Sequence, residues 1–127
     1  MNLRVVVAEE DRSFLRTVVS VLESEFEIIA MAPDAESAVR LAAELAPDVV
    51  VLDLEISRRK GIEVTTRISE QTCAPAVVVC SLETDLDIVQ ATRNAGALGY
   101  VLKSRIAIDL IAAVRSAANG QPFLSPI

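Results

Sequence analysis

Along this chain, runs in which every position is apolar alternate with stretches in which apolar residues return every three or four positions. Val5–Ala8, Val49–Leu52 and Val77–Cys80 are continuous apolar runs, with shorter ones at Glu27–Ala30 and Gly99–Leu102. A strand that is apolar at every position is buried on both faces, the condition of a parallel strand lying between two layers of helices. Between these runs the period changes. Phe14, Leu15, Val18, Val19, Val21 and Leu22 share one face of a first helix, with Ser13 as its expected N-cap. Asp34, with Ser37 three residues on, opens a second helix over Ala35–Leu45, and Pro47 closes it because proline cannot continue a helix. A third helix is expected over Ile62–Ser69, a fourth over Thr84–Ala95 with Gly96 as its stop, and a fifth over Ile108–Ala118, ended by Asn119-Gly120. Five strands alternating with helices predict right-handed βαβ units and one open parallel sheet of the α/β class.

Composition narrows this picture. A chain of 127 residues fits one domain, and because 52% of it is hydrophobic but only 3% aromatic, the core must be built from Val, Ile, Leu and Ala. With 18 acidic against 12 basic residues the net charge is -6, so a phosphate backbone is on balance repelled and nucleic acid is not an expected direct partner. No apolar run approaches the roughly 20 residues that cross a bilayer. The start, Met1-Asn2-Leu3-Arg4, leads directly into a strand without the regions of a secretory leader. Cys73 and Cys80 form no CxxC pair, and there is no histidine to complete a zinc site or a catalytic triad. The expectation is a reduced, cytoplasmic protein in which Cys80 is a small buried hydrophobe and Cys73 a loop thiol.

In an open parallel sheet the binding crevice lies outside the carboxyl ends of the strands. The first strand delivers Glu9-Glu10-Asp11 to that edge, the third Asp53, the fourth Ser81 and the fifth Lys103. Carboxylates gathered there are costly unless a cation balances them, and magnesium, or manganese in its place, is held through one or two carboxylates together with waters and phosphate oxygens. A carboxylate in such a cradle can attack a phosphoryl group to form an aspartyl phosphate, while a lysine neutralises charge on the transferring oxygens and a hydroxyl donates to them.

Acids after strand one, Asp53 ending strand three, Ser81 after strand four and Gly99-Tyr100-Val101-Leu102-Lys103 in strand five together resemble the receiver domain of two-component response regulators. Gly61, eight residues after Asp53, and Ala95-Gly96-Ala97 before the fifth strand extend the likeness, and Gln121–Pro126 resembles the tail of the NarL/LuxR subgroup. The resemblance implies a flavodoxin-like (βα)5 doubly wound sheet of five strands in the order 2-1-3-4-5. Residues 1–120 would be the receiver domain, and 121–127 a tail or the start of a linker to an output domain. It further implies that Asp53 is the phosphoacceptor, Lys103 the phosphate-binding lysine, Ser81 the switch hydroxyl and Tyr100 the switch aromatic. Glu10 and Asp11 would hold magnesium with Asp53, joined by the Glu55 carbonyl. Arg16, five residues beyond Asp11, favours this register, and Glu9 stays a candidate. The implied partners are a histidine kinase or a small phosphodonor, and a second copy bound through the face of helix four, strand five and helix five, where Leu86, Ile88, Ile106 and Ile111 are expected at the surface. The implied function is a signalling switch rather than an enzyme, acting on transcription through an output domain. Three departures bear on activity: Ser57 stands where the family usually has proline, Arg58-Arg59-Lys60 follow it, and Leu82 replaces a small residue. They leave open a second reading, a phosphorylation-independent protein-interaction module. A phosphohydrolase of the haloacid dehalogenase kind is disfavoured because its nucleophile follows the first strand. A flavin or nucleotide binder would need a glycine-rich phosphate loop, and the four glycines here are scattered.

Overall fold

The computed structural model describes residues 2–127. Among them the order is β1 (Arg4–Ala8), α1 (Arg12–Leu22), β2 (Glu27–Ala32), α2 (Ala35–Leu45), β3 (Val49–Asp53), a short turn over Ile56–Arg59, α3 (Gly61–Ser69), β4 (Ala76–Ser81), α4 (Leu86–Asn94), β5 (Gly99–Leu102), a 3-10 turn over Lys103–Arg105, α5 (Ile106–Ala118) and β6 (Phe123–Leu124). All strand pairs are parallel, in the order β2-β1-β3-β4-β5-β6.

The valine runs do what their pattern predicts. Successive side chains of a strand point to opposite faces, so each run supplies two cores. Val6, Val50, Leu52, Val77, Val79 and Tyr100 face α2, α3 and α4, while Val5, Val7, Val49, Val51, Val78 and Val101 face α1 and α5. The registers Val5↔Val49, Val49↔Ala76 and Val78↔Gly99 align the strands so that β1, β3, β4 and β5 all end at the same edge.

Several expectations are corrected. The sheet has six strands rather than five: Phe123–Leu124, read from sequence as tail, pair with Gly99 and Tyr100 at the sheet edge. Two residues are too few to show a period, and what secures them is Ser125. Its amide donates to the Tyr100 carbonyl at 2.9 Å, its Oγ accepts from the Leu102 amide at 3.0 Å, and its hydroxyl donates to Asp109 Oδ2 at 2.7 Å. Asp109 is in turn held by Arg105 at 2.7 Å. The cap of α1 is Asp11, not Ser13: its Oδ1 accepts from the amides of Ser13 and Phe14 at 2.9 and 3.1 Å. For α2 the expected cap holds, Asp34 Oδ1 accepting from the Ser37 amide at 2.8 Å. The fourth helix starts two residues later than expected because Asp85 caps it through the Asp87 amide. The fifth starts two residues earlier, at Ile106, which lies in the core instead of at the surface. Ile108 takes the exposed position, at 69%.

Candidate functional site

The C-terminal edge of the sheet brings Glu9, Asp53, Ser81 and Lys103 to one place, because each is the last residue of a parallel strand or the one just after it. Asp53 is buried, and its Oδ1 lies 2.9 Å from Lys103 Nζ and accepts from the Glu55 amide at 3.2 Å. Glu9 is also buried, with Oε1 3.7 Å from the same ammonium and Oε2 accepting from the Asp11 amide at 3.1 Å. Its Oε1 has no hydrogen-bond partner, a costly condition for a buried carboxylate oxygen. Burial pushes the Glu9 carboxyl up to about 7; the Asp11 amide pulls against that, the charge of Asp53 adds to it and Lys103 opposes it. For Lys103 burial favours the neutral form, but the hydrogen bond and charge of Asp53 and the charge of Glu9 win, and the ammonium is held above its ordinary range.

The strand-one acids separate into three roles. Glu9 faces the site. Glu10 is exposed, and its Oε1 accepts from the Ser57 amide at 3.0 Å. Asp11, expected in the metal pair, is spent at the N-terminus of α1, where the helix dipole and two free amides hold its carboxylate. Of the strand-one acids it is therefore Glu9 that shares the Lys103 ammonium with Asp53, while Glu10 and Asp11 are turned to the Ser57 amide and to the first amides of α1.

Ser81 is fully buried and its Oγ accepts from the Glu83 amide at 3.0 Å. Tyr100, expected to move inward on activation, already lies inside, 1% exposed, donating to the Glu83 carbonyl at 2.9 Å. Burial pushes its phenol up, partly offset by Ser81. Glu83 thus joins Ser81 and Tyr100 through its backbone, a role that no side-chain pattern in the sequence announces. Leu82, expected to narrow access, projects into solvent at 72% exposure. Cys80, buried as expected, has its thiol pushed up to about 12 by burial.

After β3 the backbone takes an unusual course. Ser57, Arg58 and Arg59 all have positive φ, at 50°, 60° and 66°, so three consecutive residues with Cβ atoms occupy the left-handed region. The turn is tied at both ends: the Ser57 amide to Glu10, the Ser57 Oγ to the Ala35 amide at 2.9 Å, and Arg59 to Glu55 at 3.3 Å. It sets Gly61 against Leu54, where an added Cβ would stand 2.3 Å from the Leu54 carbonyl oxygen. This accounts for the glycine eight residues after Asp53. The missing proline at position 57 is physically apt, since a ring-locked negative φ could not enter this turn.

Comparison with known proteins agrees with the fold. Residues 5–115 match the response regulator receiver domain family. The transcriptional regulatory protein LiaR of Bacillus subtilis is 35% identical over 124 residues, 96% of this chain and 59% of LiaR. The chain therefore spans less than two thirds of the length of such curated relatives. Among solved structures, a LuxR-family two-component response regulator from Aurantimonas sp. SI85-9A1 superposes with a TM-score of 0.92 at 27% identity, covering 99% of this chain and 91% of that one. The receiver domain of the putative response regulator NarL from Mycobacterium tuberculosis gives 0.88 at 26% identity, with 94% and 98% covered. The doubly wound parallel sheet, the acid, hydroxyl and lysine at its C-terminal edge and the family match over residues 5–115 lead to one conclusion: this chain belongs to the receiver domains of two-component response regulators, the NarL/LuxR type among them.

Proposed function

We propose that this receiver domain is a phosphorylation switch in which Asp53 takes a phosphoryl group and the domain then changes its protein contacts. The observation that carries the reading is the buried pair at the sheet edge, Lys103 Nζ 2.9 Å from Asp53 Oδ1. An Asp53 oxygen forms a bond to phosphorus as the donor's P–N or P–O bond breaks, the electron pair leaving on the imidazole nitrogen of a histidine kinase or the carboxylate oxygen of an acyl phosphate. Lys103 neutralises charge on the transferring oxygens, and Ser81, whose Oγ accepts from the Glu83 amide, turns its hydroxyl proton to the phosphoryl group.

The donor set suits a hard divalent cation, being oxygen throughout, with the unpartnered Glu9 Oε1 buried beside Asp53. Asp53 and Glu9, with Glu10 at the rim and the Glu55 carbonyl, would hold magnesium, or manganese in its place. Such an ion, when bound, offsets the negative charge gathering on the phosphoryl oxygens. Because Tyr100 already lies inside, activation in this reading is a population shift: the phosphoryl group draws on Ser81 and favours the inward Tyr100 over an outward alternative. The responding face is α4, β5 and α5, where Leu86 and Ile108 are 63% and 69% exposed and would seat a second copy. This acidic domain leaves nucleic acid to an output domain, and the setting is the cytoplasm.

A second reading is favoured by the Glu10–Ser57 and Glu55–Arg59 contacts, which already satisfy two acids of the rim. In it the domain works through protein contacts without phosphorylation. Intact mass after incubation with acetyl phosphate and magnesium decides between them. A gain of about 80 Da in the native chain that is absent from Asp53→Ala supports the switch. A folded native chain that neither gains mass nor binds magnesium overturns it in favour of the second reading.

A further inference from the structure

Lys103 is contacted from two sides. Its ammonium meets Asp53 and Glu9 at 2.9 and 3.7 Å, and it also stands 4.5 Å from the centre of the Phe14 ring. We propose that Phe14 is a positioning residue for Lys103, with Asp11 acting through it as the cap that fixes where the ring stands. Phe14 occupies the first turn of α1, and its amide is one of the two bound by Asp11 Oδ1. Its ring is half-buried against the core of that side of the sheet. Cap, amide, ring and ammonium therefore form one chain of contacts ending at the Asp53 carboxylate. Lysine is a compact charge on a flexible four-carbon stem, and holding it in one orientation sets a large rotamer freedom against few bonds. An aromatic face attracts the cation, fills the space that water would take and offers no hydrogen-bond acceptor to compete with the carboxylates. This gives Asp11 a part in the site other than metal binding.

The effect on phosphoryl transfer rests on the reading of Asp53 as phosphoacceptor; the effect on Lys103 does not. The test compares the full chain with Phe14→Leu, which keeps apolar bulk, and Phe14→Tyr, which keeps the ring face, after thermal melts show all three folded. The first readout is the ring-current shift of the Lys103 Hε protons by NMR, assigned by their loss in Lys103→Arg. It should be present in native and Phe14→Tyr and absent in Phe14→Leu. The second is the rate of Asp53 phosphorylation by acetyl phosphate at saturating donor. It should fall about three- to tenfold in Phe14→Leu, with the donor KM changed by no more than roughly twofold, and return in Phe14→Tyr. An Hε shift that is the same in native and Phe14→Leu overturns the proposal, and so does an equal loss of rate in Leu and Tyr. If the native chain takes no phosphoryl group, the reading of Asp53 fails and the NMR comparison alone upholds or overturns the placement of Lys103 by Phe14.

Discussion

Substituting Glu9→Gln removes the carboxyl that burial holds near neutrality, and its consequence for stability can be worked from the structure. The side chain is 3% exposed, so solvent screening discounts little. Its carboxyl sits at about 7 in the folded domain against an ordinary 4.5 in the unfolded chain. At about 1.4 kcal/mol for each pH unit that separation is worth on the order of 3 kcal/mol. The sign follows from which state holds the proton. Below pH 4.5 both states are protonated and the native fold has its full advantage. Between 4.5 and 7 the unfolded chain releases its proton while the folded domain keeps it, so stability falls. Above 7 the loss is complete. The raised Lys103 contributes stability that is lost only above its ordinary 10.5, and the lowered Asp34 and Asp109 contribute stability lost only below 3.8, so none of them titrates in this window. Urea unfolding at pH 5, 6, 7 and 8, with chelator present to remove divalent cations, should show the native chain losing stability across the range. Glu9→Gln should run flatter by on the order of 3 kcal/mol with an unchanged urea slope. Parallel pH profiles for the two proteins would refute the reasoning, showing that Glu9 is ionised at no such cost.

Two further substitutions probe the contacts that frame the site. Gly61→Ala drives a methyl group onto the Leu54 backbone, which cannot move without disturbing β3, and should lower stability by about 2 to 4 kcal/mol in denaturant unfolding; a loss under roughly 1 kcal/mol would mean that the turn relaxes freely. Ser125→Ala leaves the Leu102 amide without its acceptor and takes one donor from Asp109. A loss of about 1 to 3 kcal/mol is expected, with faster amide exchange at Leu102 and Ser125 than in the native chain, and unchanged exchange would refute the tie between β6 and β5.

What could be read from the sequence and what could not divides along the range of the forces involved. Continuous valine runs determined parallel strands between two helix layers, because burial on both faces is a property of each segment alone. Parallel strands all point one way, so Asp53, Ser81 and Lys103, each at the end of its run, had to meet at one edge. The second helix was readable to the residue, since its Asp34 cap and its proline stop act within one turn. Other features depended on partners distant in sequence. Three adjacent acids are equivalent until the strand end fixes which side chain turns inward, and Asp11 has a nearer use at the helix amides than at the site. The left-handed turn at Ser57–Arg59 is held by Glu10 and by the amide of Ala35, residues that only the fold brings to it. Phe123 and Leu124 become a strand because β5 has a free edge and Ser125 finds Asp109 and Leu102 there. Phe14 carries the pattern of an ordinary core residue, and its place beside Lys103 was decided by how α1 packs on the sheet. Local periodicity and chain direction belong to the sequence; which polar groups satisfy one another across the sheet is decided by tertiary structure, because each buried carboxylate takes the donors that packing leaves within reach.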